Sequence, residues 1–176
     1  MTYAVLTARL ALAGVLLVSA VAKARSFEET WAMLDGLLRR IGPGARRSAG
    51  PSAVALIAVE GTTGLALLGP AQTVRPGLVA AVVLTAAFTA AAVVATVSRA
   101  EVACACFGRP AARLGRRHIV RNTPLLGLAV LGLAGTGAVS GTSPAAPAVV
   151  LCSVAAAVIT VVTAFFDDIA DLLATP

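Results

Sequence analysis

Apolar stretches of about 20 residues dominate this sequence and limit what it can fold into. Five of them occupy residues 3–22, 52–69, 77–97, 123–141 and 147–166. A helix of that length crosses the hydrocarbon core of a bilayer and satisfies its own backbone hydrogen bonds there. The sequence lacks the alternating pattern of a membrane barrel. It therefore predicts an all-α integral membrane protein, a single domain over residues 1–176 with about five transmembrane helices, four of them forming a core and one added to it.

The balance of apolar and charged residues agrees with a membrane class. Hydrophobic residues make up 59% of the chain and charged residues 12%, against roughly 25% charged residues in a soluble domain. We expect a multi-pass protein of the bacterial cell membrane, with the lipid bilayer as its first partner. A cleaved signal peptide is the alternative for the first stretch, because Ser19 to Ala22 are small; Arg9 inside the apolar run argues against it.

Basic residues concentrate in two loops of the predicted topology. Of the 14 lysines and arginines, all except Arg9 and Arg75 lie in residues 23–51 and 98–122. With five spans these loops share one side, which the positive-inside rule makes cytoplasmic, with the N-terminus outside. Aromatic residues do not interleave with the arginines, so we expect no nucleic-acid partner.

The first of these loops contains a segment with helical periodicity. Its apolar positions recur every three or four residues: Phe27, Trp31, Leu34, Leu37, Leu38 and Ile41. This pattern predicts an amphipathic helix that lies in the membrane interface after the first span.

Two charged residues lie inside predicted spans, where ionisable groups are functional candidates by default. Arg9 is in the first span and Glu60 is near the middle of the second. Because neighbouring spans run antiparallel, we expect Arg9 to approach Glu60. Lys23, at the other end of the first span, either extends outward or approaches Glu60 from that side. The alternatives are a structural ion pair and a proton or ligand site.

Cys104 and Cys106 interrupt the apolar chain just after the third span. Gly108 and Pro110 disfavour a helix there, and in an extended segment residues two apart point the same way. A disulfide in so small a ring departs from relaxed geometry and is more easily reduced. Three arginines near the pair would favour the thiolate form, namely Arg99, Arg109 and Arg113. The pattern favours a redox-active pair.

Two other interpretations of the cysteines stay open. His118 could join Cys104 and Cys106 in a zinc site, although the spacing fits no standard zinc motif and we predict no metal. Alternatively the cysteines are small apolar residues at a helix end. Cys152 lies among valines and alanines of the fifth span, and we expect it to pack there.

Four features in order resemble a known family. They are Lys23 closing the first span, Glu60-Gly61 followed by GLALLG, the CACFG element, and Arg121-Asn122 opening the fourth span. Together they resemble the MauE family of methylamine-utilisation membrane proteins, which is related to DoxX-like membrane proteins. In that family the position of Ala105 is commonly glycine.

The resemblance implies a thiol–disulfide accessory role for Cys104 and Cys106. A MauE protein is expected to assist a thioredoxin-fold partner in maturing exported proteins, as in the biogenesis of methylamine dehydrogenase. That role implies work outside the cell, whereas the charge pattern places the cysteines inside; the residues leave both open. The competing functions are a non-catalytic DoxX-like membrane subunit and a small-molecule or quinone carrier that uses Glu60. No cofactor is predicted, enzyme activity is left open, and the sequence predicts no particular oligomeric state.

Overall fold

The computed structural model describes residues 2–41, 48–98, 116–136 and 145–174. These ranges form seven helices and contain no β-strand. The helices are α1 (Thr2–Arg25), α2 (Phe27–Ile41), α3 (Ala49–Leu68), α4 (Ala71–Val97), α5 (Arg116–Gly135), α6 (Ala146–Ala164) and α7 (Phe166–Ala174). The predicted all-α membrane fold is confirmed.

Helix α1 lies at the centre of the bundle. It packs most extensively against α6 and α3, and also against α5. Its apolar side chains form the main core with residues of α3, α4 and α5, including Leu12, Leu16, Leu67, Leu78 and Leu125. The most enclosed apolar surface is therefore where the first four apolar helices along the chain, α1, α3, α4 and α5, meet.

Small residues bring α1 close to two neighbours. A Cβ atom added at Gly64 of α3 would lie 2.7 Å from Leu17 Cγ and 3.3 Å from the carbonyl oxygen of Ala13. On the other side of α1, a Cβ atom added at Gly14 would lie 2.5 Å from Thr160 Oγ1 of α6. Such close backbone approach is how helices associate in lipid, where burial of apolar surface provides no drive.

The contacts fix the directions of the helices. Residues near the start of α1 face the end of α3 and the start of α6, so α3 is antiparallel to α1 and α6 is parallel to it. Helix α4 is antiparallel to α3, and α5 is antiparallel to α4. Consequently α1, α4 and α6 end, and α3 and α5 begin, at one end of the bundle. We call this the Lys23 end, after the lysine in the last turn of α1.

Four of the described helices are long and apolar enough to cross a membrane: α1 from Tyr3, α3, α4 and α6. They correspond to the predicted spans 3–22, 52–69, 77–97 and 147–166, with boundaries shifted by up to six residues. Helix α4 begins at Ala71 and continues through Pro76, which lies inside the helix and has no N–H to bond the carbonyl of Gln72.

Helix α5 differs from the predicted fourth span, 123–141. It begins at Arg116, seven residues earlier, and its first six residues include Arg116, Arg117, His118 and Arg121. That charge keeps α5 out of the set of candidate spans, yet it packs along both α1 and α4 within the bundle. The prediction that residues 116–122 belong to a loop was wrong, because His118, Arg121 and Asn122 are buried within the helix and two of the arginines pair with aspartates of α7.

The amphipathic helix predicted around Trp31 is present as α2. It packs on the Lys23 end through Met33, Leu34 and Leu37, which contact the cluster formed with α3, α4 and α5. Trp31 is 36% exposed. The position of α2 in the membrane interface stays a prediction.

Candidate functional site

A buried ion pair joins α1 to α3 near the Lys23 end. Lys23 Nζ lies 2.7 Å from Glu60 Oε1 and 2.9 Å from Glu60 Oε2. It also donates to Ser19 Oγ at 2.5 Å, one helical turn earlier on α1. The two charged side chains are 1% and 0% exposed. All three hydrogens of the ammonium therefore have oxygen acceptors, as a buried charge requires.

Two neighbouring elements enclose this pair. The ring of Phe88 on α4 lies with its centroid 5.3 Å from Lys23 Nζ, within the range of a cation–π contact. At the end of α1, the Thr30 hydroxyl of α2 donates to the carbonyl oxygens of Lys23 at 3.4 Å and Ser26 at 3.2 Å. The pair thus ties α1, α3 and α4 together beneath the start of α2.

Arg9 does not pair with Glu60, so that prediction was wrong. Its guanidinium donates from Nε to the carbonyl oxygen of Leu67 and from Nη2 to that of Gly69, the latter at 2.5 Å. These carbonyls belong to the end of α3, where the last turn has no intrahelical donors and the helix dipole is negative. Thr73 adds a hydrogen bond to the carbonyl of Ala66 at 2.8 Å. Arg9 is therefore a capping residue for α3.

The register between α1 and α3 explains the error. Aligning the apolar stretches by their ends places residue 3 beside residue 69, and hence Arg9 near Glu60. In the structure Gly61 faces Ala20 and Gly64 faces Ala13 and Leu17, which puts Glu60 level with residue 21. At 1.5 Å per residue, Arg9 is then roughly 18 Å from that level. Lys23 takes its place, which is the alternative left open from the sequence.

The other sequence-predicted site residues lie outside the described residues. These are Cys104, Cys106, Arg99, Arg109 and Arg113. Their described flanks are Ser98, which follows α4, and Arg116, which begins α5. Because α4 ends and α5 begins at the Lys23 end, both flanks lie at the end of the bundle that holds the Lys23–Glu60 pair.

Cys152 packs as predicted. It is buried and free, and its sulfur lies 3.6 Å from the carbonyl oxygen of Tyr3. That contact places Cys152 at the opposite end of α1 from Lys23, about 30 Å away along the helix. The alternative zinc site would need Cys104 and Cys106; within the described ranges no three His, Cys, Asp or Glu side chains are grouped as metal ligands.

Comparison with known proteins identifies the family to which the chain belongs. The family described as methylamine utilisation protein MauE matches residues 1–135 of the chain. The chain belongs to the MauE family. No curated protein and no solved structure matches it. Membership indicates a multi-pass membrane protein of methylamine utilisation, and the apolar helices agree with a bilayer environment.

The MauE match covers α1 to α5 and ends at Gly135, so α6 and α7 follow the matched part. Within it, the Arg121-Asn122 pair noted from the sequence is buried, with the two residues 6% and 7% exposed. Arg121 Nε lies 3.4 Å from Asn122 Oδ1, and Arg121 Nη1 lies 3.6 Å from Asp167 Oδ2.

The pairing of α5 with α7 was missed by sequence reasoning. Besides the Arg121–Asp167 contact, Arg117 donates from Nη1 to Asp171 Oδ1. The hydrogen bond to Asp171 and its coulombic attraction raise the pKa of Arg117, so this guanidinium stays charged across the neutral range. The signal in the sequence was the matched spacing of four residues in both partners, which puts each pair of like charges on one helix face.

Proposed function

We infer that this member of the MauE family is a membrane-embedded thiol–disulfide accessory protein. Cys104 and Cys106 cycle between the dithiol and the disulfide, and a thioredoxin-fold protein is the redox partner. The process served is the maturation of exported proteins at the bacterial cell membrane, as in methylamine dehydrogenase biogenesis. The inference draws on the family match over residues 1–135 and on the CACFG element within it.

The position of the flanks is the observation that carries this proposal. Ser98 and Arg116 both lie at the Lys23 end, where the buried Lys23–Glu60 pair joins α1 to α3 and α2 packs against α3, α4 and α5. A segment held at both ends on such a base can present its two thiols to a protein outside the bilayer. Arg116 adds positive charge at one flank, which favours thiolate over thiol.

The reaction proposed is thiol–disulfide exchange. A thiolate of the Cys104–Cys106 pair attacks one sulfur of the partner's disulfide; a mixed disulfide forms and the partner's other sulfur leaves as a thiolate. The second cysteine then attacks the mixed disulfide, which closes the Cys104–Cys106 bond and releases the partner as a dithiol. The protein's two thiols are thereby oxidised, the partner's disulfide is reduced, and a second dithiol protein must reduce the pair again.

Trapping the mixed disulfide tests this function. In cells, Cys104→Ser or Cys106→Ser leaves one thiol that attacks and none that resolves, so we expect a covalent adduct with a thioredoxin-fold protein, seen by non-reducing electrophoresis and lost on reduction. Cys152→Ser is the matched control, because that thiol is buried at the far end of the bundle. It should give no adduct.

The absence of an adduct from both Cys104→Ser and Cys106→Ser would refute the redox proposal. If Cys104→Ser and Cys106→Ser both behave like the wild type, the cysteines are passive and the protein acts as a non-catalytic membrane subunit. The carrier function has no comparable support, because both carboxylate oxygens of Glu60 already accept hydrogen bonds from Lys23.

A further inference from the structure

Helix α7 presents an apolar face that the described part of the chain leaves uncovered. Leu172 and Leu173 are 77% and 82% exposed, and Ile169 is 39% exposed. The acidic side chains of the same helix turn instead toward α5, where Asp167 meets Arg121 and Asp171 meets Arg117. Helix α7 is therefore amphipathic, with its polar face held by the protein.

This apolar face continues a stripe that begins on α6. Exposed large side chains follow one another at intervals of three or four residues, from Leu151 through Val154, Val158, Val161, Phe165 and Ile169 to Leu172. The helical hydrogen-bond pattern carries over the join, since Phe165 N–H donates to Val161 O at 2.9 Å and Ile169 N–H donates to Phe165 O at 3.0 Å. Helix α6 is a candidate membrane span whose opposite face packs on α1, so its part of the stripe faces lipid.

The charge arrangement suits a helix at a membrane surface. Carboxylates are repelled by the negative surface potential of anionic lipids. Here Arg117 and Arg121 lie against two of the three aspartates of α7, which offsets that repulsion on the polar face. With nine residues, α7 is about 14 Å long and cannot cross the hydrocarbon core.

We propose that α7 lies in the bilayer interface at the Lys23 end, with Ile169, Leu172 and Leu173 in the boundary between headgroups and acyl chains. The α5 arginines hold its acidic face against the bundle. A second copy of the chain is a poorer occupant, because three side chains offer a few hundred Å², below the roughly 800 Å² per partner of a stable interface. This inference is independent of the thiol chemistry.

Fluorescence quenching in lipid vesicles tests the position of α7. The chain has one tryptophan, so a Trp31→Phe background carries either Leu172→Trp or, as the matched control, Ala170→Trp. Residues 170 and 172 point to opposite faces of a helix. The full-length variants are reconstituted in vesicles of phosphatidylethanolamine and phosphatidylglycerol, with and without lipid bearing a doxyl group high on the acyl chain.

We expect the doxyl lipid to quench tryptophan at 172 several-fold more strongly than at 170, while acrylamide reaches the tryptophan at 172 far less than a free tryptophan amide. Two results would overturn the proposal. Acrylamide access at 172 equal to that of the free amide would place the apolar face in water. Doxyl quenching at 172 that rises when the protein is diluted in the vesicles would show that a second copy covers it. Leu173→Trp repeats the test should Leu172→Trp fold poorly.

Discussion

Removing one charge of the Lys23–Glu60 pair should destabilise the bundle far more than removing both. At 2.7 Å separation the attraction is about 6 kcal/mol with an effective dielectric constant near 20. Desolvating two ions costs several kcal/mol each, so the pair as a whole is roughly neutral relative to apolar residues of similar volume. Glu60→Leu leaves the buried ammonium without its counter-ion, which we expect to cost about 3–5 kcal/mol in the free energy of unfolding.

The test compares Glu60→Leu, Lys23→Met and the double variant in one detergent. Each single change should lower the free energy of unfolding by several kcal/mol, while the double variant should recover most of that loss, because neither charge is then buried. Unfolding is followed by loss of helical signal in rising denaturant, with the midpoint and slope both measured. The reasoning is refuted if the two single losses simply add in the double variant, or if each single loss is below about 1 kcal/mol, the value typical of an exposed pair.

Four further substitutions probe other contacts in the same unfolding assay. Arg9→Gln should cost roughly 2–3 kcal/mol because charged hydrogen bonds to the end of α3 are lost; a change within error would contradict the capping role. Gly64→Ala should destabilise the protein by about 1–3 kcal/mol through overpacking against Leu17. Gly127→Ala is the control: a Cβ atom there meets nothing within 4 Å, so this change should be neutral or stabilise by up to about 1 kcal/mol. Equal effects of the two substitutions would refute the close approach of α3 to α1. Cys152→Ser should leave stability within about 1 kcal/mol, because the thiol makes one weak contact.

Much of the fold could be predicted because lipid leaves few alternatives. A stretch of about 20 apolar residues has to become a helix in the bilayer, so the spans in α1, α3, α4 and α6 were predictable from hydropathy alone. The periodicity around Trp31 was likewise sufficient for α2. The start of α5 was predicted too late in the chain, because hydropathy cannot distinguish an arginine in a loop from one in a helix that pairs with an acidic residue, as Arg117 and Arg121 do.

The partners of the buried charges depend on register, which hydropathy does not encode. Sliding α3 along α1 by a few turns leaves the apolar pattern of both helices unchanged but exchanges the residue opposite Glu60. The register is set by close contacts such as that of Gly64 with Leu17. A glycine in the sequence does not show which residue of another helix it will contact. The CACFG motif was the reverse case, since its position among the other features led to the MauE family directly. The match over residues 1–135 confirms that family.

The directions of the helices also predict which residues lie on the same side of the membrane, whichever side is cytoplasmic. Ser98 and the exposed Ala32 of α2 belong to the Lys23 end, whereas Ala71 opens α4 at the opposite end. In a chain without its three native cysteines, Ser98→Cys and Ala32→Cys should react with a membrane-impermeant thiol reagent from the same side of intact cells, and Ala71→Cys from the other.

Labelling of Ala32→Cys and Ala71→Cys from one side would contradict a crossing of the membrane by α3, which lies between them in the chain. The same experiment assigns the side. The positive-inside rule predicts that Ser98→Cys is labelled only after permeabilisation, because the basic residues of the described helices concentrate at the Lys23 end, apart from Arg9 and Arg75. Labelling of Ser98→Cys in intact cells would overturn that rule for this chain, and would place the proposed thiol pair where exported proteins acquire their disulfides.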